Sequence, residues 1–249
     1  MSRRFQRCSH AVPPSHPNYP QVAFLRRQPG VLCYDDCMKL YLSSYRIPVP
    51  DELRKLLGKP LGETSVALIP NAADYYSKLA WEFKVRELVR YMEQLGLKVD
   101  VVDLRGYNDP TTLRDKLTAH DLIWVMGGNT YILRYEMRRS GFERVIKELL
   151  DTGIVYGGDS AGALVAGSSI AGIESADEPE FAEEVIEEGL TLTPFLILPH
   201  VDNPAFASIL PIFKNRHQGK DIIELKDSQA IVFDNGNHHI VEAEASTTG

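Results

Sequence analysis

From residue 39 onward, short apolar runs alternate with longer stretches in which apolar residues recur every three to four positions. The short runs at 39–42, 65–69, 98–102, 122–126 and 154–156 predict strands. The periodic stretches predict helices. The first covers 51–57. The second covers 74–95, with Leu79, Phe83, Leu88, Met92 and Leu95 at helical spacing and Gly96 as the stop. Asp109-Pro110-Thr111 opens a third, running to residue 119, and two more cover 130–139 and 142–150. Further strands follow at 195–198, 222–225 and 230–233. The strands read as continuous apolar runs, which marks strands covered on both faces of a parallel sheet. Repeated strand–helix–strand units with right-handed crossovers then give an α/β fold. The sheet is doubly wound and mostly parallel, flavodoxin-like, with helices on both faces. No internal repeat and no linker interrupts 38–249, so this span reads as one domain.

Sheets of this kind bind ligands beyond the carboxyl ends of their strands. Two glycine-rich segments fall at such ends, Gly127-Gly128-Asn129-Thr130 and Gly157-Gly158-Asp159-Ser160-Ala161-Gly162-Ala163. The second contains G-x-S-x-G between a strand and a small-residue helix at 161–166, the context a nucleophile elbow requires. A serine on so tight a turn adopts an unfavourable backbone conformation. Glycines two before and two after it remove side chains that would strike neighbouring backbone. The helix start adds N–H groups beneath a developing oxyanion. A glycine-rich turn that packs a helix or cradles a phosphate is the plainer alternative.

A serine needs a base. The body offers His120, His200, His217, His238 and His239. His120 reads as a solvated helix cap, and His238-His239 as an exposed polar turn. His200 ends an apolar run through Pro199 and is the favoured candidate. The imidazole needs a carboxylate behind it. Asp202, Glu224, Asp227 and Asp234 all follow His200. Asp202 is close in sequence for reaching round the ring, and Asp227 lies in a turn between two strands.

Composition narrows the setting. The chain has 249 residues, 44% hydrophobic and 24% charged, with a net charge of −7. Residues 1–37 differ from the rest. They hold five prolines, five arginines and two aspartates, about +3, which leaves −10 on 38–249. So acidic a body argues against nucleic acid as a partner. No apolar run has the roughly 20 residues that span a bilayer, so no membrane partner is expected. All three cysteines, Cys8, Cys33 and Cys37, lie in the first 37 residues, so no disulfide framework supports the body and a cytoplasmic setting follows. Cys33 and Cys37 are spaced C-x3-C with no second pair, which does not make a metal site. Met38 followed by a strand reads as a natural start, with 1–37 a disordered N-terminal extension.

Four ordered pieces together resemble one family: M-G-G-N-T at 126–130, Y-G-G-D-S-A-G-A at 156–163, L-P-H at 198–200 and L-K-D at 225–227. They are similar to the serine peptidases of the aspartyl dipeptidase (peptidase E) and cyanophycinase family. The resemblance covers about 38–235 and implies a fold like that of class I glutamine amidotransferases. It implies Ser160 as nucleophile and His200 as base. It also implies that the N–H groups of Gly128 and Ala161 form an oxyanion hole. Asp227 stands where aspartyl dipeptidases place a glutamate. Asn129, within G-G-N-T, and Asp177, at a family aspartate linked to activity, are assigned to substrate binding. The implied reaction is hydrolysis of short peptides, Asp-Xaa dipeptides among them, through an acyl-enzyme. A small peptide substrate is the only partner implied, with no metal and no organic cofactor, and a homo-oligomer is compatible with the sequence. Arg134, Arg138, Lys214 and Arg216 are available as cations, with surface solvation the default for each. Two alternatives stay open. One is another amide hydrolase of the glutamine amidotransferase type, although the body lacks the elbow cysteine such enzymes use. The other is a non-catalytic module that keeps the elbow as a ligand nest.

Overall fold

The structure, a computed structural model, describes residues 38–244. The extension expected at 1–37 lies outside the described residues. The elements in chain order are β1 (Lys39–Ser43), α1 (Pro50–Leu57), β2 (Ser65–Ile69), α2 (Lys78–Gln94), β3 (Lys98–Val101) and α3 (Pro110–Thr118). Then come β4 (Leu122–Val125), α4 (Thr130–Arg139), α5 (Phe142–Asp151), β5 (Val155–Asp159) and α6 (Ala161–Leu164). The last are β6 (Leu196–Leu198), α7 (Ile209–Arg216), β7 (Ile222–Glu224), β8 (Gln229–Asp234) and β9 (Asn237–Glu242).

Seven strands form the central sheet in the order β3-β2-β4-β5-β1-β8-β9. The first five pair in parallel, and β8 and β9 add an antiparallel edge. Side chains alternate across the strands and feed two cores. Leu40, Leu42, Ile123, Val125 and Tyr156 face α3, α4 and α5, whose Leu117, Leu133, Met137 and Phe142 cover them. Tyr41, Val66, Leu68, Leu122 and Trp124 face the other way, under Leu53 and Leu56 of α1 and Leu88 and Met92 of α2. Helices on both faces of a mostly parallel sheet are what the strand–helix alternation predicts.

Four details differ from the expectation. The helix predicted from 74 starts at Lys78, capped by Ser77, because residues 71–73 form a separate 3-10 turn. Within α2, Leu88 and Met92 are buried, whereas Leu79 and Phe83 are exposed, so the apolar stripe leaves the sheet in its first half. β3 is an edge strand, and its four residues are half-buried or exposed rather than part of a doubly covered run. The strand read at 195–198 does not join the central sheet: β6 pairs only with β7, in a separate two-stranded parallel sheet.

Candidate active site

The elbow is set by close packing of backbone on backbone. β5 runs three residues further than expected, through Gly157-Gly158-Asp159. Gly157 lies opposite Trp124 on β4, and a Cβ there would come within 2.4 Å of the indole ring. A Cβ on Gly158 would sit 2.6 Å from the Gly162 backbone, and one on Gly162 would sit 2.1 Å from the Val125 carbonyl oxygen. Both glycines therefore let α6 press against the ends of β4 and β5. That packing turns the chain sharply at Ser160, which takes φ 51° and ψ −113°. A non-glycine residue holds that conformation only where its surroundings over-determine it.

The base and the acid arrive from distant segments. The Leu225 N–H donates to the Leu198 carbonyl at 2.9 Å, and the Val201 N–H donates to the Leu225 carbonyl at 3.2 Å. These bonds tie the turn after β6 to the turn after β7. His200 sits in the first turn with φ 64°, and Asp227 lies just past the second. Ser160 Oγ lies 2.8 Å from His200 Nε2, and His200 Nδ1 lies 2.5 Å from Asp227 Oδ1. Phe206 stacks on the imidazole at a centroid distance of 4.4 Å.

Ser44, at the carboxyl end of β1, escaped the sequence reading because no motif marks it. Its hydroxyl donates to Asp227 Oδ1 at 2.9 Å and accepts the His200 backbone N–H at 2.8 Å. Asn203 Nδ2 donates to the other Asp227 oxygen at 3.1 Å. Asp202 does not reach the ring; instead its Oδ1 accepts the Asp227 backbone N–H at 2.9 Å.

The three acids near Ser160 are held differently. Burial pushes the Asp227 carboxyl up, but hydrogen bonds from His200, Ser44 and Asn203 outweigh it and hold the group below the usual carboxylate range. Asp159, buried directly before Ser160, is raised to about 6 by desolvation, although Trp124 Nε1–H donates to it at 2.8 Å. Asp177 is also raised by burial, while Thr130 donates to its Oδ2 from the backbone N–H at 2.8 Å and from the hydroxyl.

Among the described residues, the N–H groups of Gly128 and Ala161 have no hydrogen-bond acceptor. Gly128 adopts φ 150°, and a Cβ there would lie 2.3 Å from the Ala72 carbonyl oxygen, so the loop passes too close to Ala72 for any side chain. Asn129 is 2% exposed, its Oδ1 caps α4 by accepting from Ile132 N–H, and its Nδ2 donates to the Glu178 carbonyl, so its side chain shapes the loop. Arg134 departs from the surface role: it is 1% exposed and bonded to Glu143 and the Glu188 carbonyl. Lys214 and Arg216 pair with Glu224 and Glu187. His120 is a cap, as expected, but its side chain is buried against the Lys116 carbonyl and Asp100. His217 bonds to the Ala171 carbonyl, and His238 and His239 lie on β9, an exposed edge strand rather than a turn.

Two spaces open on Ser160. The smaller, about 390 Å³, lies over α6 between Thr130, Asp177, His200 and Phe206. The larger groove, about 1350 Å³, runs from Gly127 and Gly128 past Asp159 to Arg46, Lys84 and Phe83. Sequence reading singled out neither Arg46 nor Lys84.

With this geometry in place, comparison with known proteins adds the following. Residues 41–241 match the model of peptidase family S51. The uncharacterized peptidase Lmo0363 of Listeria monocytogenes is 32% identical over 163 residues, which span 64% of this chain and 78% of that protein. Peptidase E of Shewanella amazonensis is 33% identical over 117 residues, 47% of this chain and 45% of the relative. A crystal structure assigned to peptidase E from Listeria monocytogenes EGD-e superposes with a TM-score of 0.71 at 28% identity. The match covers 82% of this chain and 98% of that one.

Proposed function

The chain belongs to peptidase family S51 and is a serine peptidase; from that premise we propose that it releases the N-terminal residue of short peptides through Ser160, His200 and Asp227. The observation that carries this reading is the unbroken relay from a strained serine, with 2.8 Å from Ser160 Oγ to His200 Nε2 and 2.5 Å from His200 Nδ1 to Asp227.

In this mechanism His200 takes the Ser160 proton as the hydroxyl attacks the scissile carbonyl. The N–H groups of Gly128 and Ala161 receive the oxyanion, and each such donor contributes about 10²–10³ in rate. The imidazolium, steadied by Asp227, protonates the leaving amine. Water, activated by the same histidine, then releases the acyl group. Asp227 is one methylene shorter than the glutamate of the aspartyl dipeptidases, and the bond from Ser44 supports it where it stands. Asp-Xaa dipeptides are the substrate the resemblance implies; the proposal itself is the wider class, removal of one N-terminal residue. The only partner this reading calls for is the peptide. Among the described residues no helix is long and apolar enough to cross a membrane, and the proposal places the reaction in the cytoplasm.

The test is labelling with a serine-directed fluorophosphonate alongside a dipeptide hydrolysis screen. Wild type should be labelled, and Ser160→Ala should lose the label and about 10⁴-fold or more in kcat. A folded wild type that takes no label would point to a binding module instead.

A further inference from the structure

The smaller cavity at Ser160 has a composition that bears on the substrate. Of its thirteen lining residues none is lysine or arginine, and one, Asp177, is acidic. Leu164, Ile173, Ala176, Leu198, Ile209 and Leu210 supply apolar walls. We infer that this cavity receives the N-terminal residue of the peptide and selects an uncharged, apolar side chain, rejecting aspartate. This rests on the reading above that Ser160 is the acylated residue.

The cavity and the groove suit opposite ends of a peptide. Cleavage after the first residue leaves one residue on the serine, and the compact apolar cavity matches that acyl part. The leaving peptide carries the C-terminal carboxylate. The groove holds the cations Arg46 and Lys84 at its outer end, beside Glu87 and with Asp159 and Asp227 nearer the serine, and the cavity has no lysine or arginine to match them.

An aspartate side chain in the cavity would lose water and meet a second carboxylate at Asp177. Two like charges brought side by side in a site largely cut off from water repel far more strongly than they do in solution. The Ala161 N–H and His200 also line the cavity but are committed to the oxyanion and to Ser160, so the feature left to offset this is the N-terminus of α4, where backbone N–H groups favour an anion. Asp177 already occupies it, accepting from the Thr130 N–H and hydroxyl. Burial already pushes the Asp177 carboxyl up, so a further anion beside it would act against an existing strain. A neutral N-terminal residue brings only its α-ammonium as a charge. Among the described residues, Asp177 Oδ1 has no hydrogen-bond donor and no lysine or arginine pairs with it, so the ammonium fits there.

The experiment compares kcat/KM for Leu-, Met- and Ala-Xaa dipeptides with Asp- and Glu-Xaa dipeptides sharing one C-terminal residue. Active serine is counted in parallel by fluorophosphonate. Wild type should favour the apolar set by about 100-fold. Leu210→Arg, which sets a cation on the half-buried cavity wall, should raise Asp-Xaa relative to Leu-Xaa by at least about tenfold with labelling retained. Full labelling with Asp-Xaa cleaved as well as or better than Leu-Xaa would overturn the specificity claim and leave the peptidase reading intact. Labelling without turnover of any apolar dipeptide would overturn it too. A folded enzyme that takes no label would bring down the reading beneath it.

Discussion

Ser160 and His200 both sit at positive φ, 51° and 64°, yet the chain holds them by different means. The elbow is local and steric. Most of what shapes it lies at the ends of the adjacent parallel strands β4 and β5, with one bond from the Ser160 N–H to the Ser43 carbonyl of β1, and its geometry depends on absent side chains at Gly158 and Gly162. The arm that carries base and acid is long-range and polar. Ser44 reaches His200 across 156 residues and Asp227 across 183, through hydrogen bonds rather than close packing. A steric device tolerates no added atoms, because backbone cannot yield without moving the sheet. A hydrogen-bonded device tolerates loss of one member, at a cost to catalysis more than to folding.

The strongest way to break this contrast is to add one carbon at the elbow. Gly162→Ala puts a Cβ 2.1 Å from the Val125 carbonyl oxygen, and α6 must shift off β4 to make room. We expect a loss of about 3 kcal/mol, or roughly 6–12 °C in Tm, measured by calorimetry. Gly62→Ala is the control. A Cβ there meets nothing within 4 Å, and its stability should stay within about 0.5 kcal/mol of wild type. Equal losses from both variants would remove the steric account of the elbow.

Taking one hydroxyl from the arm is the next test. Ser44→Ala leaves Asp227 and the His200 N–H each short of a partner. A hydrogen bond to a charged group is worth about 1.5–3 kcal/mol, so kcat should fall about 10–100-fold. KM should change little, and Tm should fall by a few degrees, less than for Gly162→Ala, because the buried His200 N–H loses its acceptor. An unchanged kcat would mean that Asn203 and the imidazole hold Asp227 without help from Ser44.

The last test sharpens the comparison through pH, and its effect vanishes in acid. Asp159 packs against Trp124 within the elbow, and desolvation raises its carboxyl to about 6 from a usual 3.8. Between those values the folded protein holds a proton that the unfolded chain has released. Stability therefore falls as pH rises through about 4 to 6. Asp159→Asn keeps an acceptor for the indole N–H and removes the penalty. Chemical denaturation should find it more stable than wild type at pH 7 by up to about 3 kcal/mol, with the gap closing near pH 4. A constant gap across that range would assign the effect to packing rather than to charge. Asp227, held below the usual range, loses its charge only in more acidic solution and does not contribute in this window.

Apart from the far end of β5, the strands of the parallel core and the helices α3, α4 and α5 were legible within a residue or two, because apolar period and capping residues such as Asp109 are local signals. The exposed half of α2 was not. Leu79 and Phe83 keep the helical period but lie where the sheet no longer covers the helix. That β6 and β7 pair apart from the main sheet was not legible, since a short apolar run says nothing of which strand it joins. At the site, the motif named Asn129 but not the cap and the loop bond its side chain makes. Asp202 looked idle because its contact is to the backbone of a residue 25 positions away.

By itself the sequence determined the elbow, since a strand end, three glycines and a serine leave the backbone one way to turn. Tertiary structure alone decided what stands behind that serine and beside it. The Ser44–His200–Asp227 contacts and the cation-free cavity at Asp177 join segments far apart along the chain. Such contacts exist only after the sheet has brought its strand ends to one edge. Sterics act between neighbours and can be read from spacing, whereas polar geometry depends on distances that the folded chain alone creates.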